Sequence, residues 1–501
     1  MNNNIYSKKN LFYLTILSIA FTIFFFNEQV AVRGGLVISG DVIYHDNVSP
    51  LKYYFLNSWT LLTQLSALLF KIGFNSHSVS FFLVFLLNLI LFNSCFIIFE
   101  KFIGNTTLSI CLSCLLIFFQ KNLGDTDYPS LIFTIHTFGA FAQALTGLVV
   151  TSLLMNNIKL SFLLSFILFC VHPLVGLWVL LILIFFSFYQ KKINSFNESL
   201  KILFPGLLFT IISLVIFLHF SLEKIPYDQN LFKIYLEKWD GHRAITDEIH
   251  YEYLFKSLIL LIIVYFICPK NNENKLFSRV FCSMIISSII VYLSFKIFRL
   301  SDYRVLAPII PGRFMITFTF IAWPIALSLI YYRFKEVKYI NYLFYSIIII
   351  YSLMHYKTFL NVKDKIVSKD ENLIFYKLKD LKDVGNVITN AETPFNVLYI
   401  SNKPPLMLKT IDYLPYHPYL VNNIRDIMTE VYGYDFENPP RNNYPYLNDD
   451  YIKSKFEKRL ASDWDYIKNK FKSNIVITPN NWKLDLELIF SDKKYSLYRI
   501  N

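Results

Sequence analysis

The stretch VSFFLVFLLNLILFNSCFIIF, residues 79–99, decides the class of fold. It carries no charge and is as long as the roughly 20 residues that a helix needs to cross a bilayer. Similar apolar runs recur through the first 356 residues, and no charge lies deep inside any of them. The sequence therefore predicts a polytopic α-helical membrane protein with about eleven transmembrane helices. These are Leu11–Phe26, Val79–Phe99, Thr107–Phe119, Phe138–Met155, Leu160–Val171, Leu174–Tyr189, Ile202–Phe220, Leu254–Ile267, Ser278–Phe295, Phe314–Tyr332 and Ile340–His355.

The composition supports this class and excludes others. Of 501 residues, 54% are hydrophobic and 17% are charged, whereas soluble globular chains carry about a quarter charged residues. Disordered, collagen-like, coiled-coil and small disulfide-stapled chains are excluded by the same figures. The sequence also lacks a P-loop, a glycine-rich dinucleotide turn, a His-Glu-x-x-His motif and a G-x-S-x-G motif, so we expect no nucleotide partner.

The net charge of +12 suggests a polyanion partner until the charges are placed on the predicted topology. With the N-terminus in the cytoplasm, the inner loops carry 13 basic and four acidic residues. The outer loops are neutral, and residues from 357 onward add +3. This distribution is the positive-inside pattern of membrane proteins. It predicts a multi-pass membrane protein that contacts lipids and no nucleic acid. Abundant Lys, Asn, Ile and Phe suggest an AT-rich bacterial genome, so the predicted location is a bacterial inner membrane.

An odd number of spans puts the last part of the chain outside the cell. We therefore predict a transmembrane domain over residues 1–356, with a long first extracytoplasmic loop over 27–78, and a small extracytoplasmic α/β domain over 357–501. In the latter, Asn396–Ser401, Asn474–Thr478 and Tyr495–Ile500 are predicted strands. Leu373–Val384 and Tyr451–Lys472 have helical spacing. The prolines between 404 and 440 predict a long irregular stretch.

The first outer loop is too long to be a simple connector. It contains Ser39-Gly40-Asp41 and His45-Asp46, followed by Tyr53–Ile72, where apolar and polar residues interleave. This mixture favours a helix that lies in the membrane interface with its apolar side down. The alternative, that Tyr53–Ile72 is a span, would invert the topology downstream, and the charge distribution disfavours it.

Further polar candidates lie in the other outer loops and at the ends of spans. The candidates are Asp125 and Asp127, His242 and Arg243, Arg304 and Arg313, and His172. Each has a simpler structural interpretation as well. The aspartates, Asp41 and Asp46 included, suit turns and helix caps, the arginines could anchor span ends, and His172 beside Pro173 suits a turn between spans.

The pattern of charges limits the chemistry. The spans carry no buried charge, which weighs against ion-coupled transport. Chemistry on the outer face without a nucleotide site fits a donor delivered as a lipid phosphate. Transfer to a hydroxyl group needs a base near the acceptor, a role that an aspartate can fill. The departing phosphate needs a cation, and arginine supplies one with a fork of donors.

This layout resembles the GT-C type of integral-membrane glycosyltransferase. The resemblance rests on Ser39-Gly40-Asp41 with the helix-like Tyr53–Ile72. A closer resemblance, to bacterial multispan proteins of GT-C appearance, rests on short motifs. These are His172-Pro173-Leu174-Val175-Gly176, Pro308 with Pro311-Gly312-Arg313, and the ending Tyr495-Ser496-Leu497-Tyr498-Arg499.

The resemblance implies transfer of a sugar from a polyprenyl-phosphate donor to a glycan, lipid or protein acceptor outside the cytoplasm. Asp41 would be the catalytic base, with Asp46 as its alternative, and Arg304 and Arg313 would hold the phosphate. His172, His242 and Arg243 are further substrate-binding candidates. A divalent cation at Asp125 or Asp127 is compatible with this mechanism but not required. The alternatives are an O-antigen polymerase or ligase that uses a diphosphate-linked donor, and a non-catalytic transporter or scaffold.

Overall fold

The computed structural model describes residues 8–25, 32–45, 47–119, 138–189, 226–240, 311–354, 356, 373–409, 411, 413–440 and 447–500, and short stretches within 208–215 and 259–293. The helices of the first part are α1 Lys8–Phe25, α2 Arg33–Ser39, α3 Pro50–Asn57, α4 Leu61–Lys71, α5 Ser76–Ile103, α6 Thr106–Phe119, α7 Phe138–Leu154, α8 Ile158–Val171, α9 Pro173–Tyr189, α10 Gln229–Ile234, α11 Pro311–Phe334 and α12 Ile340–Met354. The last part contains α13 Leu373–Asp380, β1 Val387–Thr389, α14 Pro394–Tyr399, α15 Val421–Asp426, α16 Asp449–Phe456, α17 Ala461–Phe471, β2 Ile475–Pro479, β3 Glu487–Ser491 and β4 Tyr495–Arg499.

The chain forms two compact units, and each unit is assembled from three separate segments. The helical unit comprises Met1–Glu28, Phe81–Phe217 and Glu248–Ile366. The composite unit comprises Gln29–Ser80, Leu218–Asp247 and Val367–Asn501. The predicted domains are two continuous stretches that meet at residue 356, whereas the segments of the two compact units alternate along the sequence.

The helical unit contains the most apolar helices. Among the described residues, one helix, Ser76–Ile103, is long and apolar enough to cross a membrane, with a mean hydropathy of 2.5. Shorter apolar helices of 10–17 residues accompany it; those in the helical unit cover Lys9–Ile23, Thr106–Leu115, Phe138–Leu154, Ile158–Val171, Pro173–Ser187 and Ile340–Met354. The protein is therefore largely helical with a small C-terminal sheet, and the count of eleven spans stays a prediction.

Small polar residues are buried inside the helical unit while large apolar residues face outward. Ser18 and Thr22 of α1 are fully buried, although Phe12 and Ile23 of the same helix are 60% and 61% exposed. The Asn88 amide of α5 donates to the Thr22 hydroxyl at 2.9 Å. Such packing satisfies polar side chains between helices and leaves hydrocarbon on the outside.

Helices α8 and α9 form a hairpin around His172. The backbone N–H of His172 donates to the Leu168 carbonyl at 2.8 Å, and Pro173 begins the next helix. Gly176 allows α9 to approach α8 closely, because a Cβ atom there would lie 2.7 Å from the Phe169 ring. The turn expected at His172-Pro173 is thus present, as the close connection of a helical hairpin.

The composite unit has a sheet region, which we define as residues 373–391 and 447–500. Its strands are ordered β1-β2-β4-β3, with β1 parallel to β2 and the other neighbours antiparallel. One face packs on α13, where Ile374, Phe375 and Leu378 are fully buried. Gly385, with φ +64°, enters β1 where a Cβ atom would lie 2.3 Å from the Lys472 carbonyl oxygen. Only glycine accommodates both conditions.

The rest of the composite unit is the junction region, defined as residues 32–80, 226–240 and 394–438. It consists of short helices and turns joined by contacts between segments distant in sequence. Glycines of α2 permit close packing on α4, since a Cβ atom at Gly35 would lie 2.5 Å from the Ser66 Cβ. The proline-rich stretch expected to be irregular consists, in its described residues, of turns up to residue 417, but residues 418–431 form a continuous helical run. The stretch is buried, including Leu406, Ile411 and Leu414.

Several local predictions are confirmed and others are wrong. The strands at Asn474–Thr478 and Tyr495–Ile500 are confirmed as β2 and β4. The strand predicted at Asn396–Ser401 is wrong, because Pro394 begins helix α14 there. The helix predicted over Tyr451–Lys472 is two helices, α16 and α17. The helix predicted over Tyr53–Ile72 is likewise broken between α3 and α4, where the Thr60 side chain caps α4.

Candidate functional site

Asp41 follows a sharp turn at the end of α2. Gly40 adopts φ +91°, and the Ser39 hydroxyl donates to Asp41 Oδ2 at 2.8 Å. Beyond this turn the side chains alternate: Asp41, Ile43 and His45 are exposed, whereas Val42 and Tyr44 are buried. The turn and the alternation together hold the Asp41 carboxylate at the surface of the composite unit, in contact with solvent.

The C-terminal part of the chain fixes the segment that carries Asp41. Before it, the Arg33 guanidinium lies over the Phe395 ring at 3.5 Å, a cation–π contact. After it, the Tyr44 hydroxyl donates to the Pro405 carbonyl at 3.3 Å. Contacts on both sides therefore position the carboxylate relative to the tail rather than leave it on a free loop.

The next helix of the first loop is anchored in the same way. The Ser49 side chain caps α3 by accepting from the Leu51 N–H, and its hydroxyl donates to the Leu406 carbonyl at 2.9 Å. One serine thus satisfies a helix N-terminus and a buried carbonyl of the tail. The hydroxyl groups of Ser80 and Tyr399 also share a hydrogen bond.

The middle segment, residues 226–240, joins the same tail through aromatic residues. The Tyr235 hydroxyl donates to the Ile411 carbonyl at 3.0 Å, and the Trp239 Nε1–H donates to the Phe436 carbonyl at 2.7 Å. The Trp239 and Phe436 rings stack with centroids 5.5 Å apart. Asp240, next to Trp239, is a buried acid with 2% of its surface exposed.

A cluster of aromatic and polar side chains lies where the end of α3 meets residues 413–419. We call it the tyrosine–histidine cluster; its members are Tyr53, Tyr54, Asn57, Ser58, Tyr413, His417 and Tyr419. The His417 Nε2 and the Ser58 hydroxyl share a 2.9 Å hydrogen bond. The Tyr419 hydroxyl lies 3.4 Å from His417 Nδ1 and accepts from the Asn57 amide at 3.0 Å. These bonds form one continuous polar chain across the cluster.

Aromatic packing surrounds this polar chain. The Tyr54 ring stacks on Tyr413 at 4.7 Å and meets the edge of His417 at 5.7 Å. His417 is 1% exposed, and burial lowers its pKa to about 4. The imidazole is therefore neutral at physiological pH, so it makes hydrogen bonds without bringing a charge into the cluster.

Most of the site residues expected from the sequence lie outside the part of the chain that the structure describes. These are Asp46, Asp125, Asp127, His242, Arg243 and Arg304. Arg313 lies in the first turn of α11, but its side chain is outside the described residues. Asp41 belongs to the composite unit and His172 to the helical unit. The pairing of Asp41 with Arg304 and Arg313 stays a prediction.

No group of three or more His, Cys, Asp or Glu side chains that could hold a metal ion occurs among the described residues. Residues 120–137, which include both aspartates proposed as ligands, fall outside that part of the chain. A cation site at Asp125 and Asp127 is thus an untested prediction.

Little in the sequence predicts the tyrosine–histidine cluster. Residues 413–419 read Tyr-Leu-Pro-Tyr-His-Pro-Tyr, and the two prolines suggested only an irregular loop. Ser58 and His417 are 359 positions apart, so no spacing rule links them. The dense tyrosines around a single histidine were the available signal.

Comparison with known proteins identifies no relative: no model of a known family matches the chain, and a search of curated proteins finds no match.

Proposed function

We propose that the protein is a GT-C-like membrane glycosyltransferase that moves a sugar from a polyprenyl-phosphate donor to an acceptor on the extracytoplasmic face. The observation that carries the proposal is the composite unit. Its three segments overlap the three longest of the parts of the chain that the charge distribution assigns to the outside. An outer domain of this composition presents Asp41 to solvent and leaves the apolar helices to the membrane.

The composite unit also restricts how often the chain crosses the membrane. A folded body outside the bilayer requires its segments to lie on one side. Phe81–Phe217 and Glu248–Ile366 must then each cross an even number of times. The predicted topology has six spans from Val79 to Phe220 and four from Leu254 to His355. Both numbers are even, which supports the arrangement with eleven spans, the N-terminus inside and the C-terminus outside.

The same reasoning disfavours a span at Tyr53–Ile72. That stretch forms α3, of 8 residues, and α4, of 11 residues, and both are shorter than the roughly 20 residues of a typical span. A crossing there would also put α2 and α4, which pack on each other within the composite unit, on opposite sides of the membrane.

The surface of the helical unit supports a lipid environment. Helix α12 buries Ile340 and Phe344, whereas Tyr342, Leu353 and Met354 are 70%, 67% and 71% exposed. Exposed apolar surface of this extent is unfavourable in water. Buried serines and threonines with outward hydrocarbon are the arrangement expected when the surrounding solvent is lipid.

In the proposed reaction, Asp41 takes the proton of the acceptor hydroxyl as that oxygen attacks the sugar carbon that bears the phosphate. The bond to the phosphate breaks, and the lipid phosphate leaves with its electron pair. Arg304 and Arg313 stabilise the developing negative charge. An exposed carboxylate that is fixed by the Gly40 turn and by the tail suits a base that must meet an acceptor arriving from solvent.

The chemical test compares Asp41→Asn with the matched control Asp465→Asn, an exposed acid on α17 of the sheet region. Membranes that contain each variant receive radiolabelled undecaprenyl-phosphate hexoses, and the transfer to endogenous acceptors is measured. We expect Asp41→Asn and Arg313→Ala to lose at least about a hundredfold in rate, while Asp465→Asn stays active. Activity with diphosphate-linked donors alone would favour a polymerase or ligase, and unaltered variants would favour a scaffold.

The topology is tested by single cysteines at exposed positions, one in each segment of the composite unit. Asn47→Cys, Glu237→Cys and Asp465→Cys are suitable. In cells whose outer membrane is permeabilised and whose inner membrane is intact, a membrane-impermeant maleimide should label all three. Labelling of only one or two of them would contradict a common outer location.

A further inference from the structure

The tyrosine–histidine cluster has two layers with different exposure. Tyr413 and His417 are buried, with 3% and 1% of their surfaces exposed. Tyr53, Asn57 and Tyr419 are half-buried and form a rim at the surface. The buried layer fixes the rim, because Tyr419 contacts His417 and Asn57 follows Tyr54 on α3. A rigid rim loses little conformational entropy when it binds a ligand.

The rim offers both ring surface and hydrogen-bonding groups. The rings of Tyr53 and Tyr419 are perpendicular, with an interplanar angle of 87° and centroids 6.5 Å apart. The Asn57 carboxamide has two N–H donors and a carbonyl acceptor, and its bond to Tyr419 uses one donor. Apolar rings beside a few oriented polar groups are the usual composition of a small-molecule site.

The charge of the cluster selects the kind of ligand. Tyrosine, asparagine and serine are neutral at pH 7, and the burial of His417 keeps its imidazole neutral as well. A phosphate or carboxylate is normally met by arginine or lysine, and the cluster contains neither. Its chemistry therefore suits a neutral ligand with hydroxyl groups and apolar C–H faces.

We propose that the rim of the tyrosine–histidine cluster, formed by Tyr53, Asn57 and Tyr419, binds a neutral saccharide. This inference rests on the proposed function, since it makes the acceptor a glycan rather than a lipid or a protein. The sugar lays a C–H face on the Tyr53 ring and exchanges hydrogen bonds with the Asn57 amide and the Tyr419 hydroxyl. Both the cluster and Asp41 belong to the composite unit, so one folded body carries the acceptor site and the base.

The test measures saccharide binding by the full chain in lipid nanodiscs, without any donor. Cellohexaose, mannohexaose and chitohexaose serve as probes, and saturation-transfer NMR with titration gives the affinity. We expect at least one probe to bind and Tyr53→Ala and Asn57→Ala each to weaken it by about tenfold. Tyr53→Phe should retain binding because it keeps the ring. The control Tyr376→Ala removes a tyrosine of α13 that is 50% exposed, and it should bind like the native chain.

Three outcomes would overturn the inference. None of the probes binds the folded native chain; Tyr53→Ala and Asn57→Ala bind as well as Tyr376→Ala; or these variants only lower thermal stability, which makes the cluster a lock between α3 and the tail. The proposed function is tested by a different measurement, the rate of sugar transfer by Asp41→Asn. Its failure can therefore be distinguished from failure of this inference. Binding of a saccharide by a chain without transferase activity would retain the site and reject the enzyme.

Discussion

The sheet region and the junction region of the composite unit are stabilised in different ways. In the sheet region, neighbouring strands pair along their backbones, and the hairpin of β3 and β4 closes within 13 residues, from Glu487 to Arg499. Apart from an isolated parallel bridge between Pro405 and Val387 of β1, the junction region has no such ladder among its described residues. Its segments are joined by side chains that bond to distant carbonyls, such as Tyr44 with Pro405, 361 positions away. The β3–β4 hairpin is therefore specified locally, whereas the junction region depends on segments that are distant in the sequence.

This difference explains where function can be placed. The sheet region offers a stable frame, but the backbone polar groups of its strands are used in pairing. The junction region contains Asp41, the tyrosine–histidine cluster and the Trp239 segment, and each of these stretches is joined to the tail by contacts between distant residues. Side chains of this kind can be repositioned without disturbing a sheet. The contrast can be tested by perturbing one region and following the other.

The largest effect is expected for Trp464→Ala in the sheet region. Trp464 is fully buried and meets the Phe456 ring edge-on at 5.3 Å, so its removal leaves a cavity that costs about 3–5 kcal/mol. Hydrogen exchange followed by mass spectrometry should show faster exchange in β2 than in residues 404–420. The control Leu460→Ala alters a side chain that is 66% exposed and should change stability by less than about 0.5 kcal/mol. Equal loss of protection in both regions would make them one cooperative unit and end the distinction.

Acidification should act on the junction region first. Burial lowers the pKa of His417 to about 4, from 6.5, so the unfolded chain binds a proton more readily than the folded one. The stability of the folded state is then full above pH 6.5 and falls as the pH drops toward 4, by roughly 3 kcal/mol in total. Urea unfolding of residues 404–420, followed by pulse proteolysis across this range, measures the change.

The matched variant for this prediction is His417→Gln. It should be less stable than the native chain at pH 7 but lose much of the pH dependence between pH 6.5 and 4, because no buried imidazole remains to be protonated. If the pH dependence of stability between pH 6.5 and 4 is unchanged in this variant, other groups are responsible for it.

A smaller effect is expected for Trp239→Phe in the junction region. Phenylalanine retains the stack on Phe436 but removes the N–H that donates to the Phe436 carbonyl at 2.7 Å. A buried carbonyl without its donor costs about 1–3 kcal/mol. Exchange should accelerate around residues 434–438 while β2 and β4 keep their protection. If exchange accelerates in both regions, or in neither, this bond does not anchor the middle segment.

The sequence predicted the parts of the fold that depend on local pattern. Asn474–Thr478 and Asn396–Ser401 show the limit of predicting secondary structure from local pattern, since both are short apolar runs. The first becomes β2 because β1 and β4 flank it. The second becomes α14 because Pro394 has the backbone angle of a first helical residue and lacks the N–H that a strand needs. Runs of this length do not distinguish a strand from a buried helix by periodicity alone.

The site was less predictable for a physical reason. Asp41 could be proposed from its local sequence, because a turn at Gly40 leaves its carboxylate exposed. His417 acquires its neutral state and its partners only when α3 packs on residues 413–419, and composition does not report a contact between residues so far apart. The pairing of Arg304 and Arg313 with Asp41 stays a prediction, because Arg304 and the Arg313 side chain lie outside the described residues.

The distance along the chain between Ser49 and Leu406 has a consequence for biosynthesis. A ribosome that adds about 5–20 residues per second needs roughly 20 to 70 seconds to make the 357 residues that separate them. During that interval the newly made first loop has no tail on which to fold. A truncated transcript would never supply one, so incomplete polypeptides should carry an unfolded segment that proteases can recognise and degrade.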